Sequence, residues 1–549
     1  MATTTFSLAD LKAEGIGADA LARLVPALGM EIEEMSGSDV TIDITPNRPD
    51  MLDFIGFVRA MHLFSGKRRS DAARYAVSGQ AMHISVSDSV AKVRPYILGL
   101  VARGANLRGD RLRYMINFTD KLADTYGRRR MKFSTGMYDL DQIKGPLSYA
   151  ASRDGSFVPL ESSAEMSFGE VLSEHPKGLA YGYTLKGGRG LVPFISDGDR
   201  VLAMVPIVNS SHARVTESTR NLFVDVTGTS MPAAVQAASL IACSLIDSGA
   251  VVSPCVSDYS SGPVASPLLD YRSVSVSLSR LRKTLGVAVD AGSAVSLASR
   301  MGYTADARGT SFTVGVPPYR LDVLNDQDVI EDVAISLGYD KINPVPVVSA
   351  SVGRPDAIGK LHDSVSLLMI GMGFSEAINQ YLTNERECLD LMRRQADQAS
   401  LVRVEHAKTE NISMLRTSVL PCLVRDLGRS AHEKMPQRLF EVGSAFAISG
   451  GRAVESYRVA FLSEHSKADF SEAKGVVLRL LALIGASGIS VDRHNDGAFI
   501  EGRCAAASSA GKTIAVFGEL HPEVLTNFGL EEPAAGGELI LVEEREYQA

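Results

Sequence analysis

The sequence has no tryptophan and only 6% aromatics, so its 45% hydrophobic content is mostly aliphatic, enough for several cores. It also lacks an excess of positive charge. Lys and Arg number 56 against 64 Asp and Glu, a net charge of −8. That balance excludes a general nucleic-acid coat protein and leaves any RNA contact to local basic patches, because phosphate binding draws on local Lys and Arg. The five cysteines (Cys243, Cys255, Cys388, Cys422 and Cys504) form no C-x-x-C pair. Neither a zinc site nor a disulfide framework is signalled, and a reducing cytoplasm is expected. There is no run of 18 apolar residues, so no membrane span is expected. The opening MATTTFSLADLKAEG lacks the hydrophobic core of a signal peptide. No phosphate-binding G-x-x-x-x-G-K-[ST] loop, no H-E-x-x-H and no solenoid repeat occurs.

What is present divides into four regions. At roughly 150 residues per domain the length suggests three or four domains. Residues 1–80 form an N-terminal α+β region, with helical spacing over 6–35, a strand at Val40–Ile44, a turn at Thr45–Asp50 and a helix that Asp50 is expected to cap. Residues 81–265 are strand-rich, with strands at 201–208 and 222–226 and a helix near 231–248. Residues 266–348 carry strands at Ser273–Leu278 and Ser311–Val316, and a helix from Asp328 to Leu337 stopped by Gly338. Residues 349–549 mix helices at 357–372 and 471–485 with strands near 376–382, 438–447, 457–463, 513–518 and 538–543. A further helix there is read through Leu415, Val419, Leu423 and Leu427, with Pro421 in its first turn or kinking it. The fold class is α+β, in several domains.

Three clusters of polar residues carry chemical possibilities. Asn209, Ser211, Thr216, Glu217, Asp225 and Thr227 lie on or between two apolar strands, where a loop rich in hydroxyls and amides surrounds a small polar group or is simply a surface turn. Asp322, Asp328, Glu331 and Asp332 are grouped, the last three at i, i+3 and i+4 on one helix face. By spacing they read as an acidic face near a helix N-terminus, where the dipole favours negative charge. Hard oxygen ligands grouped in this way also suit Mg²⁺. Arg128, Arg129, Arg130 and Lys132 form the most basic run of the second region, which is either solvated surface or a phosphate holder.

Ordered along the chain, Thr45-Pro-Asn-Arg-Pro-Asp50, the Asn209–Gly228 segment, Pro317-Pro-Tyr-Arg-Leu-Asp322 and Gly338-Tyr-Asp340 resemble the archaeal and eukaryotic-type beta subunit of phenylalanyl-tRNA synthetase. The resemblance continues through Leu415-Arg-Thr-Ser-Val-Leu-Pro421, Pro436-Gln-Arg-Leu-Phe-Glu-Val-Gly443 and Gly518-Glu-Leu-His-Pro522 and spans nearly the whole chain.

The resemblance implies a strand-rich editing domain at 81–265 and a DNA-binding-like fold at 266–348. It implies a class II synthetase-like antiparallel core at 349–549 that lacks catalytic motifs and meets the alpha subunit. Arg438-Leu-Phe-Glu441 echoes that class's second motif, and nothing supplies the ATP-binding Arg of the third. Adenylate formation is therefore assigned to an alpha partner that binds ATP, in a complex of two alpha and two beta chains acting on tRNA(Phe) in the cytoplasm. It also implies Mg²⁺ shared with alpha at Asp322, Asp328, Glu331 and Asp332, although Asp332 stands where the family often has Glu.

The Asn209–Thr227 segment would hydrolyse tyrosine misesterified to tRNA(Phe), with Asp225 and Thr227 reading the tyrosine hydroxyl and no Ser/His/Asp triad required. A hydrophobic pocket rejects an added hydroxyl by only about 10²-fold, so a second sieve is useful. The family's usual histidine before the Asp-Leu-Asp at 139–141 is Tyr138 here, so altered or weak editing is expected. A stand-alone regulatory or binding paralogue that kept the fold and lost editing is the alternative.

Overall fold

The computed structural model describes residues 2–546, apart from residues 189, 199, 350 and 408. The chain packs as two units, Met1–Pro346 and Val347–Ala549.

The first unit joins three sheets around one continuous core. Its N-terminal sheet pairs Ala2–Ser7 and Glu31–Ser36 with Asp39–Ile44. The helical spacing read over 6–35 resolves into the end of a strand, helices Leu8–Ala13 and Ala18–Ala27, and a second strand. Gly15, at φ 75°, breaks the helix because that backbone conformation favours glycine. The helix after the Pro-rich turn starts at Phe54 and is capped by Asp53, whose carboxylate accepts the Gly56 N–H at 3.1 Å. The expected cap, Asp50, instead lies buried in ion pairs with Arg48 and Arg59.

The large sheet of this unit holds ten strands. Its main path runs Val208–Asn209, Arg200–Met204, Val192–Asp197, Leu147–Ser152, Met82–Val86, Val251–Tyr259, Tyr96–Arg103, Asn221–Gly228 and Phe133–Asp139. Helix Met231–Asp247 lies on one face of it, burying Ala233, Ala234, Ala237 and Ala238, whose small side chains allow close approach. Side chains of alternate residues on the other face, among them Ile97, Val101, Tyr138, Tyr149 and Phe223, form a separate core. The sheet curls so far that its end strands face one another: the Asn209 amide donates to the Met137 carbonyl at 3.3 Å. Among the described residues no ladder closes this seam.

The third sheet pairs Arg272–Ser277 and Thr304–Arg308 with Ser311–Val316. Helix Asp326–Leu337 starts two residues before the expected position and ends at Gly338 as expected. Asn325 caps it, with Asp328 closing the capping box.

The second unit is a seven-stranded sheet, antiparallel except for the short Ser375–Glu376 strand at one edge. Helices Ala357–Gly371 and Phe470–Leu483 cover one face, and Leu420–Arg429 and Pro522–Phe528 the other. The helix read from Leu415 begins only at Leu420, because Pro421 sits in its first turn and Met414–Leu415 pairs with Leu382–Thr383. Of the strand expected near 376–382, only the two-residue pieces Ser375–Glu376 and Leu382–Thr383 form. Strands Ile489–Arg493 and Phe499–Ser509 were not anticipated. Arg438 and Glu441 lie an odd number of residues apart on strand Gln437–Ser449, so they point to opposite faces. Arg438 pairs with Glu472 at 3.1 Å and Glu441 with Arg416 at 2.6 Å, so the two cannot act on one ligand.

A candidate site at the seam of the large sheet

Where the end strands of the large sheet meet without pairing, a cleft of about 320 Å³ opens, within the size range of small-ligand sites. The Phe133–Asp139 strand supplies Thr135, Gly136 and Met137, the opposite edge supplies Ile207, Val208, Asn209 and Ser210, and helix Asp110–Asp124 supplies Leu112 and Ile116. Arg130, Lys177 and Arg214 also line it. Asp120, paired with Arg130 at 2.9 Å, and Glu161 share the wall, so apolar side chains stand beside charges of both signs.

Beneath Gly136 lies a buried polar pair. Strands Phe133–Asp139 and Asn221–Gly228 are antiparallel, with Gly136 opposite Asp225 and Tyr138 opposite Phe223. Tyr138, two residues on and on the same face, reaches diagonally across Gly136. Its hydroxyl donates to Asp225 Oδ1 at 2.7 Å and contacts Asn209 Oδ1 at 3.4 Å. Its ring stacks on Phe223 at 5.6 Å. Only glycine permits this crossing, because a Cβ at 136 would fall on the Asp225 carboxylate and the Tyr138 hydroxyl. Asp225 is 1% exposed, and its Oδ2 is enclosed without a partner. Burial pushes its carboxyl up to about 7, against the hydrogen bond from Tyr138 and the charge of Arg94. Burial likewise raises the Tyr138 phenol well above its ordinary value, with Asp225 adding to the rise.

Thr227 lies deeper on the same face. Its hydroxyl accepts from Arg94 Nε at 3.1 Å and meets Ser134 Oγ at 3.1 Å. Arg94 is fully enclosed and donates also to the Thr227 and Arg130 carbonyls. Burial pushes its guanidinium down to about 10.

The six residues singled out in the segment therefore occupy four places. Asn209 lines the cleft. Asp225 and Thr227 are sealed beneath it, the former reached through Tyr138. Ser211 opens a short turn beside the cleft, and Thr216 and Glu217 are exposed on the outer loop, where Glu217 accepts the Gly109 N–H at 3.2 Å. A pair that the sequence did not single out is Ser210 and His212, with Oγ to Nδ1 at 2.8 Å. Burial lowers the His212 pKa, and its Nε2 is enclosed without a partner. The Ser-x-His spacing was its only sequence signal.

The basic run is also divided. Arg128, Arg129 and Arg130 turn through positive φ. Arg130 folds inward, donating to the Pro206 carbonyl at 3.0 Å and Asp120 at 2.9 Å with Tyr181 stacked on it at 3.7 Å. Arg128 and Lys132 line a separate hollow with Thr45, Pro46 and Tyr126, and Arg129 is exposed. The four cations thus form no single phosphate cradle.

The four carboxylates expected to hold Mg²⁺ do not converge, and no metal-holding group of three or more His, Cys, Asp or Glu exists among the described residues. Arg320 is the physical reason. It grips Asp322 in a bidentate pair at 2.9 and 2.8 Å and reaches Asp332 at 2.6 Å, and the Tyr303 hydroxyl also donates to Asp332. Asp328 accepts the Leu324 and Asn325 N–H groups at 2.6 and 2.9 Å, and Glu331 is exposed. A guanidinium between two of the carboxylates repels a cation, so these residues do not fit a directly ligated metal as arranged.

The second unit has a cleft of about 490 Å³. Two of its arginines are paired with acids in the same wall, Arg394 with Asp496 at 2.9 Å and Arg458 with Glu538 at 2.7 Å. Glu538 also accepts the Val419 and Leu420 N–H groups.

Among the described residues no helix is long and apolar enough to cross a membrane. A family model described as the phenylalanyl tRNA synthetase beta chain CLM domain matches residues 343–541, and one described as the tRNA synthetase B5 domain matches 274–339. A phenylalanine–tRNA ligase beta subunit of Archaeoglobus fulgidus is 35% identical over 529 residues, covering 96% of this chain and 95% of that one. The corresponding subunit of Thermococcus kodakarensis is 32% identical over 516 residues, covering 90% and 89%. An N-terminal fragment of the phenylalanyl-tRNA synthetase beta subunit of Pyrococcus horikoshii superposes with a TM-score of 0.59 at 28% identity, covering 61% of this chain and 99% of the fragment.

Proposed function

The chain belongs to the phenylalanine–tRNA ligase beta-subunit family, and from that premise we propose that it works in the cytoplasm with an alpha subunit, two of each, and edits what that partner makes. The alpha subunit binds ATP and Mg²⁺ and joins phenylalanine to tRNA(Phe). This chain contributes the Val347–Ala549 unit as a class II-like scaffold. The opposed directions of Arg438 and Glu441 support a non-catalytic role for that unit. Identity of 35% over 529 residues to a protein named as the beta subunit weighs against a stand-alone paralogue.

The seam cleft is the editing site in this reading. The observation that carries it is the cleft with Asn209 in its wall and an incompletely paired buried carboxyl, Asp225, beneath it. A tyrosyl ring enters between Leu112, Ile116 and Met137. Its hydroxyl goes toward Asp225, while Lys177 and Arg214 face the terminal phosphate and ribose of the tRNA. Arg128, Arg129 and Lys132 hold the backbone farther out. A site built to hydrogen-bond a hydroxyl discriminates strongly against the analogue that lacks it, so phenylalanine is spared. In the reaction a water oxygen attacks the ester carbonyl carbon and the carbon–oxygen bond to the ribose breaks. The ribose oxygen leaves as a hydroxyl with one of the water's protons, tyrosine leaves as its carboxylate, and the second proton passes to solvent.

The test is deacylation of preformed Tyr-tRNA(Phe) and Phe-tRNA(Phe) by the alpha–beta complex. The wild type is expected to clear the tyrosyl ester alone, and Asp225→Asn to lose at least tenfold of that rate. Equal rates for the two proteins would remove the seam cleft from the reaction.

A further inference from the structure

The hydrogen bond that would read a tyrosine substrate is already made inside the protein, by a tyrosine of its own. Neither Asp225 nor Tyr138 lines the cleft, and they are 1% and 0% exposed. The Tyr138 hydroxyl spans the gap between them and the cleft. It takes Asp225 Oδ1 on one side and touches Asn209, a cleft-lining residue, on the other. Asn209 in turn ties the opposite edge of the seam to the Met137 carbonyl. Phe223 holds the Tyr138 ring flat, and Gly136 leaves the space through which it crosses.

We infer that Tyr138 is a resident phenol that competes with the substrate's phenol for Asp225, so that the seam must open and Tyr138 must yield before a tyrosyl ester is read. This rests on the editing reading above. A site whose competent state is partly populated binds with its affinity reduced by that fraction. Removing the internal competitor therefore raises the apparent affinity for the tyrosyl ester and leaves the chemistry of the ester bond untouched.

Tyr138→Phe keeps the stacked ring and deletes the hydroxyl. In the alpha–beta complex it is expected to raise kcat/KM for deacylation of Tyr-tRNA(Phe) about tenfold, the equivalent of one hydrogen bond, chiefly through KM. Asn209→Ser, which releases the seam from Met137, is expected to shift KM the same way and serves if Tyr138→Phe does not fold. An unchanged or slower Tyr138→Phe enzyme would overturn the inference, and the slower result would make Tyr138 a residue that positions Asp225. The editing reading fails separately, and takes this inference with it, if wild type and Asp225→Asn hydrolyse the tyrosyl ester equally.

Discussion

The Asp225 carboxyl, pushed up to about 7 by burial, holds its proton in the folded chain over a range where the unfolded chain, at about 4, has already lost it. The folded state binds more protons there, so the stability linked to Asp225 is complete below about pH 4 and is lost as pH rises through about 7, an effect on the order of a few kcal/mol. Thermal unfolding between pH 4 and 8 should show wild type and Asp225→Asn converging at the acid end and the wild type falling behind above neutrality. Parallel curves would mean that the carboxyl titrates normally. The sequence pointed to Asp225 through the polar Asn209–Thr227 segment and the resemblance that makes that segment an editing pocket. It did not show that Tyr138 lies over it, since that contact needs the register placing Gly136 opposite Asp225, and register is a property of the paired strands.

At the scale of elements, two turns repeat one device. Arg48 grips Asp50 at 2.8 and 2.9 Å, and Arg320 grips Asp322 at 2.9 and 2.8 Å, each bidentate and two residues apart. Arg59 stacks on Tyr319 at 3.6 Å, which joins the two turns in one buried hub. The motifs Pro-x-Arg-x-Asp and Pro-x-x-Arg-x-Asp were visible in the chain. Their partnership was not, because almost 270 residues lie between them. The place of Arg320 between Asp322 and Asp332 was likewise not visible, because it is set by the packing of the turn on helix Asp326–Leu337. Arg320→Met should cost about 3–5 kcal/mol by leaving Asp322 and Asp332 without their counter-charge. Denaturant unfolding should show most of that restored when both acids are also changed to Leu. A single substitution without measurable loss would mean that the hub is solvated and holds little together. Elements with strong periodicity, such as strand Ser311–Val316 and helix Asp326–Leu337, were legible within two residues. Strand Phe499–Ser509 was not, since its run of Cys504, Ala505, Ala506 and Ala507 carries no alternation.

Across the whole molecule, the curled sheet of Met1–Pro346 leaves an unpaired seam with a cleft in it, while the Val347–Ala549 unit presents a larger cleft in which Arg394 and Arg458 are paired with Asp496 and Glu538. The ordered set of motifs gave the family from the sequence. The seam needed the fold, because it forms from strands that lie at opposite ends of the sheet order. The most direct test of the seam cleft as an editing site is a crystal structure of the alpha–beta complex with a non-hydrolysable tyrosyl-adenosine amide. The tyrosyl ring is expected between Ile116 and Met137, its hydroxyl on Asp225 and Tyr138 turned aside. Density for the ligand against Arg394 and Arg458 with the seam still closed would contradict it.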